Sequence, residues 1–112
     1  MPVDLPVLPD LRMEVPAPDV EAPLTTAALL ADHTRAGILR LLRDGPYCVC
    51  EMAAALGERQ NNVSNHLARL REAGLVRASR VSGDSRRAYY ERDEAACAAA
   101  LTTLRALLEA AE

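Results

Sequence analysis

The chain contains no phenylalanine, no tryptophan and no lysine, and its aromatic residues are three tyrosines. Without large rings, the core must be built from aliphatic side chains. Alanine and leucine dominate the apolar half of the composition, which favours packed helices. Long apolar runs are missing too, and none approaches the ~20 residues needed to cross a bilayer. Residues 1–9 have neither the basic start nor the apolar centre of a secretory signal. A cytoplasmic protein with no membrane partner is expected. Cysteine is scarce and odd in number, at three. In the cytosol that points to reduced thiols, metal ligands or a redox sensor rather than a disulfide framework. With 112 residues the chain fits one domain with a modest core and leaves no room for a separate catalytic domain.

All thirteen basic residues are arginine. The formal net charge of −3 argues at first against a polyanionic partner, but its distribution reverses that impression. Residues 1–32 hold six acids (Asp4, Asp10, Glu14, Asp19, Glu21 and Asp32) and one base, Arg12. Residues 59–92 hold eight arginines against Glu72, Asp84 and Glu91, a local charge of +5. Nucleic acid responds to the local patch rather than the total. The forked guanidinium suits phosphate and guanine.

Six of the seven prolines fall in residues 1–23, which therefore cannot form one helix. This segment is expected to be an acidic arm, and residues 24–112 the folded domain. A short apolar helix is expected over 24–31. A buried helix with Ile38, Leu39, Leu41 and Leu42 follows over 35–43 and is ended by Asp44-Gly45-Pro46. A third helix starts near Cys48 or Val49. Its apolar positions Val49, Met52, Ala53 and Leu56 follow helical spacing, and Gly57 stands where a left-handed cap would end it. A fourth runs over 59–73, with Val63, Leu67 and Leu70 inside and Gly74 as its cap. The period then changes. Residues 75–81 and 86–91 read as two strands around the turn Ser82-Gly83-Asp84-Ser85. Asp93 can cap a last helix reaching about residue 110, whose stripe Cys97, Leu101, Leu104 and Leu108 is spaced for a two-helix seam.

The fold class is thus mainly α with a β-hairpin wing, a winged helix-turn-helix. The third helix braces the fourth. The fourth offers Gln60, Asn61, Asn62, Ser64, Asn65, His66 and Arg69 to the major groove. There, amides can pair bidentately with adenine and guanidinium with guanine. His66 is also expected to bond within the motif and not to ligate metal. Arg80, Arg86 and Arg87 on the hairpin suit phosphates or the minor groove. A polar helix face is often merely solvated; this one follows a turn, lacks acids between Glu58 and Glu72, and precedes an arginine-bearing wing.

These residues resemble a known family. Ser64-Asn65-His66-Leu67, then Leu70-Arg71-Glu72-Ala73-Gly74-Leu75-Val76, then Arg80 and Tyr90, look like the ArsR/SmtB family of metal-sensing bacterial repressors. Leu30-Ala31-Asp32-His33-Thr34-Arg35 is similar to that family's opening, with His33 where a proline is common. The resemblance implies a homodimer joined through the first and last helices, a palindromic double-stranded operator, and repression relieved by an inducer.

Cys48-Val49-Cys50 is the second signal. Two thiols favour soft ions such as As(III), Sb(III), Cd(II), Pb(II), Zn(II) or Cu(I). Near a helix N-terminus, Cys48 is expected to favour the thiolate. On a regular helix residues i and i+2 point about 200° apart. One ion can therefore hold both thiols only if the helix starts after Cys48 or unwinds. The bland alternative is two small core residues. The family's arsenic sensors carry Cys-Val-Cys here, so the resemblance implies As(III) or Sb(III) as inducer, with no permanent cofactor. Their further cysteine, three residues on, is Ala53 in this chain, which leaves Cys97, water or an exogenous thiol as third donor. A methylated arsenical needs no third donor. The family's cadmium and lead sensors add cysteines from the arm, which has none here; its zinc sensors use Asp and His on the last helix, where only Glu94 stands near. A Cd(II)/Pb(II) sensor, or a redox or persulfide sensor pairing Cys97 with Cys48 or Cys50, are the rival inducers. An enzyme is not expected, because no phosphate-cradling glycine loop and no histidine with a catalytic partner is found. A pure dimerisation module is the remaining rival.

Overall fold

The computed structural model describes residues 15–80 and 87–110. Helix α1, Glu21–Leu30, begins before the expected boundary at residue 24. Its start is possible because Pro23 falls in the first turn, where a backbone N–H has no helical acceptor to lose. The Glu21 N–H instead donates to Asp19 Oδ1 at 3.0 Å. Helix α2, His33–Leu42, starts at Asp32, whose carboxylate accepts from the Arg35 N–H at 2.9 Å. Strand β1, Tyr47–Cys48, leads straight into α3, Val49–Leu56. Gly57 ends α3 at φ 66°, the left-handed conformation the sequence reserved for it. Helix α4 spans Gln60–Glu72. Strands β2, Val76–Ala78, and β3, Tyr89–Arg92, precede α5, Glu94–Leu108, which is capped by Asp93 accepting from the Ala96 N–H at 3.0 Å.

The three strands form an antiparallel sheet in the order β1-β3-β2. The expected wing is present as the β2–β3 pair, with Val76 opposite Arg92 and Ala78 opposite Tyr90. Both strands are shorter than the alternation suggested. The Ser79 N–H still donates to the Tyr89 carbonyl at 2.8 Å. The expected turn over 82–85 and Arg86 lie outside the described residues. Strand β1 was not foreseen, since two residues carry no period. It sets Cys48 opposite Tyr89 and so ties the start of α3 to the base of the wing.

Ile38, Met52, Val63 and Leu70 are fully buried where α2, α3 and α4 meet. Each contributes about 1.5–3 kcal/mol by leaving water. Helices α1 and α5 pack on each other, yet neither contains a fully buried residue. Leu24 and Leu101 remain more than half exposed, and Leu108 is 86 % exposed.

Arg35, 8 % exposed, ties three helices together. Its guanidinium donates to the carbonyls of Ala28 (3.2 Å) and Leu29 near the end of α1, and Nη1 meets His66 Nδ1 on α4 at 2.9 Å. Asp32 sits beside this group, 3.7 Å from His66 Nδ1. The Arg35 backbone N–H, followed by the charges of His66 and Arg35, holds the Asp32 carboxyl below its ordinary 3.8 despite partial desolvation. A carboxyl depressed in the fold adds stability above its unfolded value and loses it as pH falls through the folded one. Asp32→Ala is therefore expected to lower the urea midpoint at neutral pH. The gap from wild type should close as pH drops below 3.8. A gap that persists at pH 2 would show that capping charge is not its source.

Candidate nucleic-acid interface and thiol site

The inner stripe of α4, Val63, Leu67 and Leu70, is buried, so its opposite side must face out. Gln60, Asn61, Ser64, Asn65 and Arg69 are exposed. Asn61, Ser64, Asn65 and Ala68 are spaced i, i+3, i+4, i+7 and form one face. Ala68 was missed because alanine carries no polar signal, yet a small apolar group on a reading face can meet a thymine methyl. Asn62 and His66 are drawn aside. Asn62 donates to Glu58 Oε1 at 2.7 Å, and Glu58 also accepts from the Thr34 hydroxyl at 3.4 Å. His66 is engaged by Arg35. Both therefore hold α4 against α2 and the α3–α4 turn.

Of the wing arginines, Arg80 and Arg87 are exposed at the two inner ends of the hairpin. Arg77 is committed to Glu91 at 2.8 Å and Asp93 at 3.3 Å, across the strands. The guanidinium of Arg71 lies over the Tyr90 ring, 5.3 Å from its centroid, a cation–π contact that joins α4 to the wing.

Cys48 and Cys50 meet with their sulfurs 2.9 Å apart. The condition set by helical geometry is satisfied, because Cys48 is extended at the end of β1 (φ −91°, ψ 167°) and the helix starts at Val49. The Cys48 N–H donates to Glu51 Oε1 at 3.0 Å, which fixes the first turn. The thiolate expectation for Cys48 is not met. Burial above all, then the hydrogen bond with Cys50 and the Glu51 carboxylate, push the thiol above its ordinary 9.0. Residue 48 is only 3 % exposed, so desolvation outweighs the helix dipole.

The pair lies in a cleft of about 200 Å³ lined by Cys48, Val49, Cys50, Gln60, Arg87 and Ala88. The cleft thus joins α3, the first residue of α4 and the base of the wing. The charge that Cys50, and then Cys48, can carry beside it pushes the Arg87 pKa upward. No spacing rule brings residues 48, 60 and 87 together; β1–β3 pairing carries Arg87 to Cys48, and the α3–α4 turn brings Gln60.

Cys97 is not brought to the pair within one chain. It lines a separate apolar cavity with Leu30, Leu39, Leu75, Arg92 and Leu104, and its Sγ lies 3.8 Å from the Leu75 carbonyl. Burial pushes its thiol upward. Among the described residues no cluster of three Cys, His, Asp or Glu could hold a metal, and no helix is long and apolar enough to cross a membrane.

A helical trihelical unit followed by a hairpin, with a polar face opposite its core stripe, defines a winged helix-turn-helix protein. The profile of the bacterial regulatory protein arsR family matches residues 32–78. The chain is 47 % identical over 55 residues to the arsenical resistance operon repressor of Escherichia coli, covering 48 % of this chain and 47 % of that protein. It also superposes on the homodimeric winged helix-turn-helix DNA-binding domain of a possible ArsR-family regulator from Mycobacterium bovis. That match has 30 % identity and a TM-score of 0.59, over 78 % of this chain and 80 % of that one. The likeness in fold extends to Lactococcus lactis ZitR in complex with DNA, at 27 % identity and TM-score 0.52, over 63 % and 49 % of the two chains. The chain belongs to the ArsR family. Its matches span about half the length, or less, of the curated relatives.

Proposed function

We propose that the protein is a homodimeric transcriptional repressor that binds an operator through α4 and the wing. Release follows binding of As(III) or Sb(III) at Cys48 and Cys50. The single observation that carries the sensing half is the sulfur pair, 2.9 Å apart at the junction of β1 and α3. Two sulfurs bonded to one centre at ~2.3 Å, with angles between a right angle and the tetrahedral one, stand about 3.3–3.7 Å apart. That spread moves the first turn of α3 against β1. Helix α3 packs on α4, and β1 pairs with the wing strand, so both DNA-facing elements feel it. Inducer and operator then favour different arrangements, which is the condition for coupling. The half-exposed leucines of α1 and α5 supply the apolar face for the second subunit. The relatives' names support an arsenical as inducer.

The test is operator release across As(III), Sb(III), Cd(II), Pb(II), Zn(II), peroxide and polysulfide. Release by As(III) and Sb(III) at the lowest concentrations is expected. Release by peroxide alone would replace the metalloid reading with redox sensing, and release by Cd(II) or Pb(II) alone would make it a dication sensor. For the DNA half, Asn65→Ala is expected to weaken operator binding by about 1–3 kcal/mol, as loss of one bidentate base contact does. Binding to unrelated DNA should change little. Equal loss on both, read by titration at fixed salt, would assign Asn65 to phosphate rather than base.

A further inference from the structure

The thiol cleft contains two groups that no soft ion can use as ligands. Guanidinium carries donors only, and a side-chain amide is a poor match for a soft ion. Yet Gln60 and Arg87 line the cleft together with the two cysteines. The cleft therefore asks its occupant for two sulfur bonds and one hydrogen-bond acceptor. We infer that the occupant is a neutral pnictogen(III) hydroxide held by the two thiols, whose remaining hydroxide is seated on Arg87 and Gln60. This rests on the sensing site proposed above and names its third position.

The chemistry balances without a co-reactant. Arsenous acid has three hydroxides. Each thiol proton leaves with one hydroxide as water, two As–S bonds replace two As–O bonds, and no electron changes hands. One As–OH remains. Its oxygen accepts from the Arg87 guanidinium and the Gln60 amide. The third donor that Ala53 does not provide, and that Cys97 in its separate cavity does not reach within one chain, is thus the acid's own oxygen. A dication meets the Arg87 charge instead, and a methylated or phenylated arsenical leaves both donors facing carbon. The cleft selects for the inorganic acid on both counts. Gln60 and Arg87 also belong to the groups expected to meet DNA, so inducer and operator draw on the same side chains.

The test uses the full-length, DNA-free protein with a phosphine reductant, which offers no competing thiol. X-ray absorption at the arsenic edge should show two sulfurs and one oxygen. Arg87→Leu and Gln60→Leu should each lower arsenous acid affinity by about tenfold, the effect of one charge-assisted or well-placed hydrogen bond. Affinity for methylarsonous acid should stay the same or rise, while Arg87→Lys restores part of the loss. The methylarsonous acid measurement also shows that each variant still folds its thiol site. Three sulfurs in wild type, or an equal loss for both arsenicals, overturns the inference. A distinct result, arsenous acid bound equally well by Cys48→Ser, overturns the sensing site itself.

Discussion

Cys48→Ser and Cys50→Ser are each expected to leave the operator occupied at arsenite levels that empty it of the wild-type protein. Each should raise the concentration for half-release by about a hundredfold or more. The two sulfurs lie 2.9 Å apart before any ligand arrives. Once one bond forms, the second is intramolecular, and a held partner of this kind acts at an effective concentration that multiplies affinity by ~10²–10⁴. Removing either sulfur forfeits that factor. Serine is nearly isosteric, so the β1–β3 pairing at Cys48 and the Glu51 contact to its N–H are retained. Operator binding without inducer should therefore persist in both variants, measured by anisotropy in the same titration. Cys97→Ser should shift release less than about threefold, since a single hydrogen bond to the Leu75 carbonyl is what changes. Loss of release in Cys97→Ser, with Cys48→Ser unaffected, would move the site to the α1–α5 seam.

Arg35→Ala should have the largest effect on stability. The guanidinium of this buried residue serves two carbonyls near the C-terminus of α1 and the imidazole of His66. Those carbonyls have no further helical partner, because a helix leaves its last acceptors unsatisfied. Truncation strands them and opens a cavity between α1, α2 and α4. A loss of about 3 kcal/mol is expected, on the scale of broken buried networks. For a domain of this size that is roughly 12–20 °C in Tm. The double variant with His66→Ala should lose less than the sum of the two singles, since one contact is removed twice. Urea unfolding of the four proteins measures this. A loss below 1 kcal/mol in Arg35→Ala would show that water replaces the guanidinium without penalty.

Much of this was written in local patterns. Asp32 and Asp93 cap α2 and α5, and Gly57 adopts the left-handed conformation that ends α3. Val63, Leu67 and Leu70 are buried, so the outward face of α4 followed directly from its period. These features depend on near neighbours in the chain, and helical spacing and capping chemistry act over four residues or fewer. The start of α1 was misplaced for the same reason. Proline content marked residues 1–23 as non-helical, but a proline in the first turn breaks no hydrogen bond. His66 was expected to bond within the motif, and the packing of α2 on α4 supplies its partner, Arg35; Asn62 was grouped with the exposed face although its partner, Glu58, stands only four residues earlier.

The sequence by itself determined the helix order, the winged reading motif and the two cysteines worth attention. Tertiary structure decided what surrounds those cysteines. The pairing of Tyr47-Cys48 with Tyr89-Tyr90 ends the chain's extended run at residue 48 and lets α3 begin one residue later. That places both sulfurs together and carries Arg87 to them, while the α3–α4 turn brings Gln60. It also sends Cys97 to a different cavity. Strand pairing joins residues some forty positions apart, and its free energy comes from backbone groups that are identical in every residue. No local pattern could have announced it.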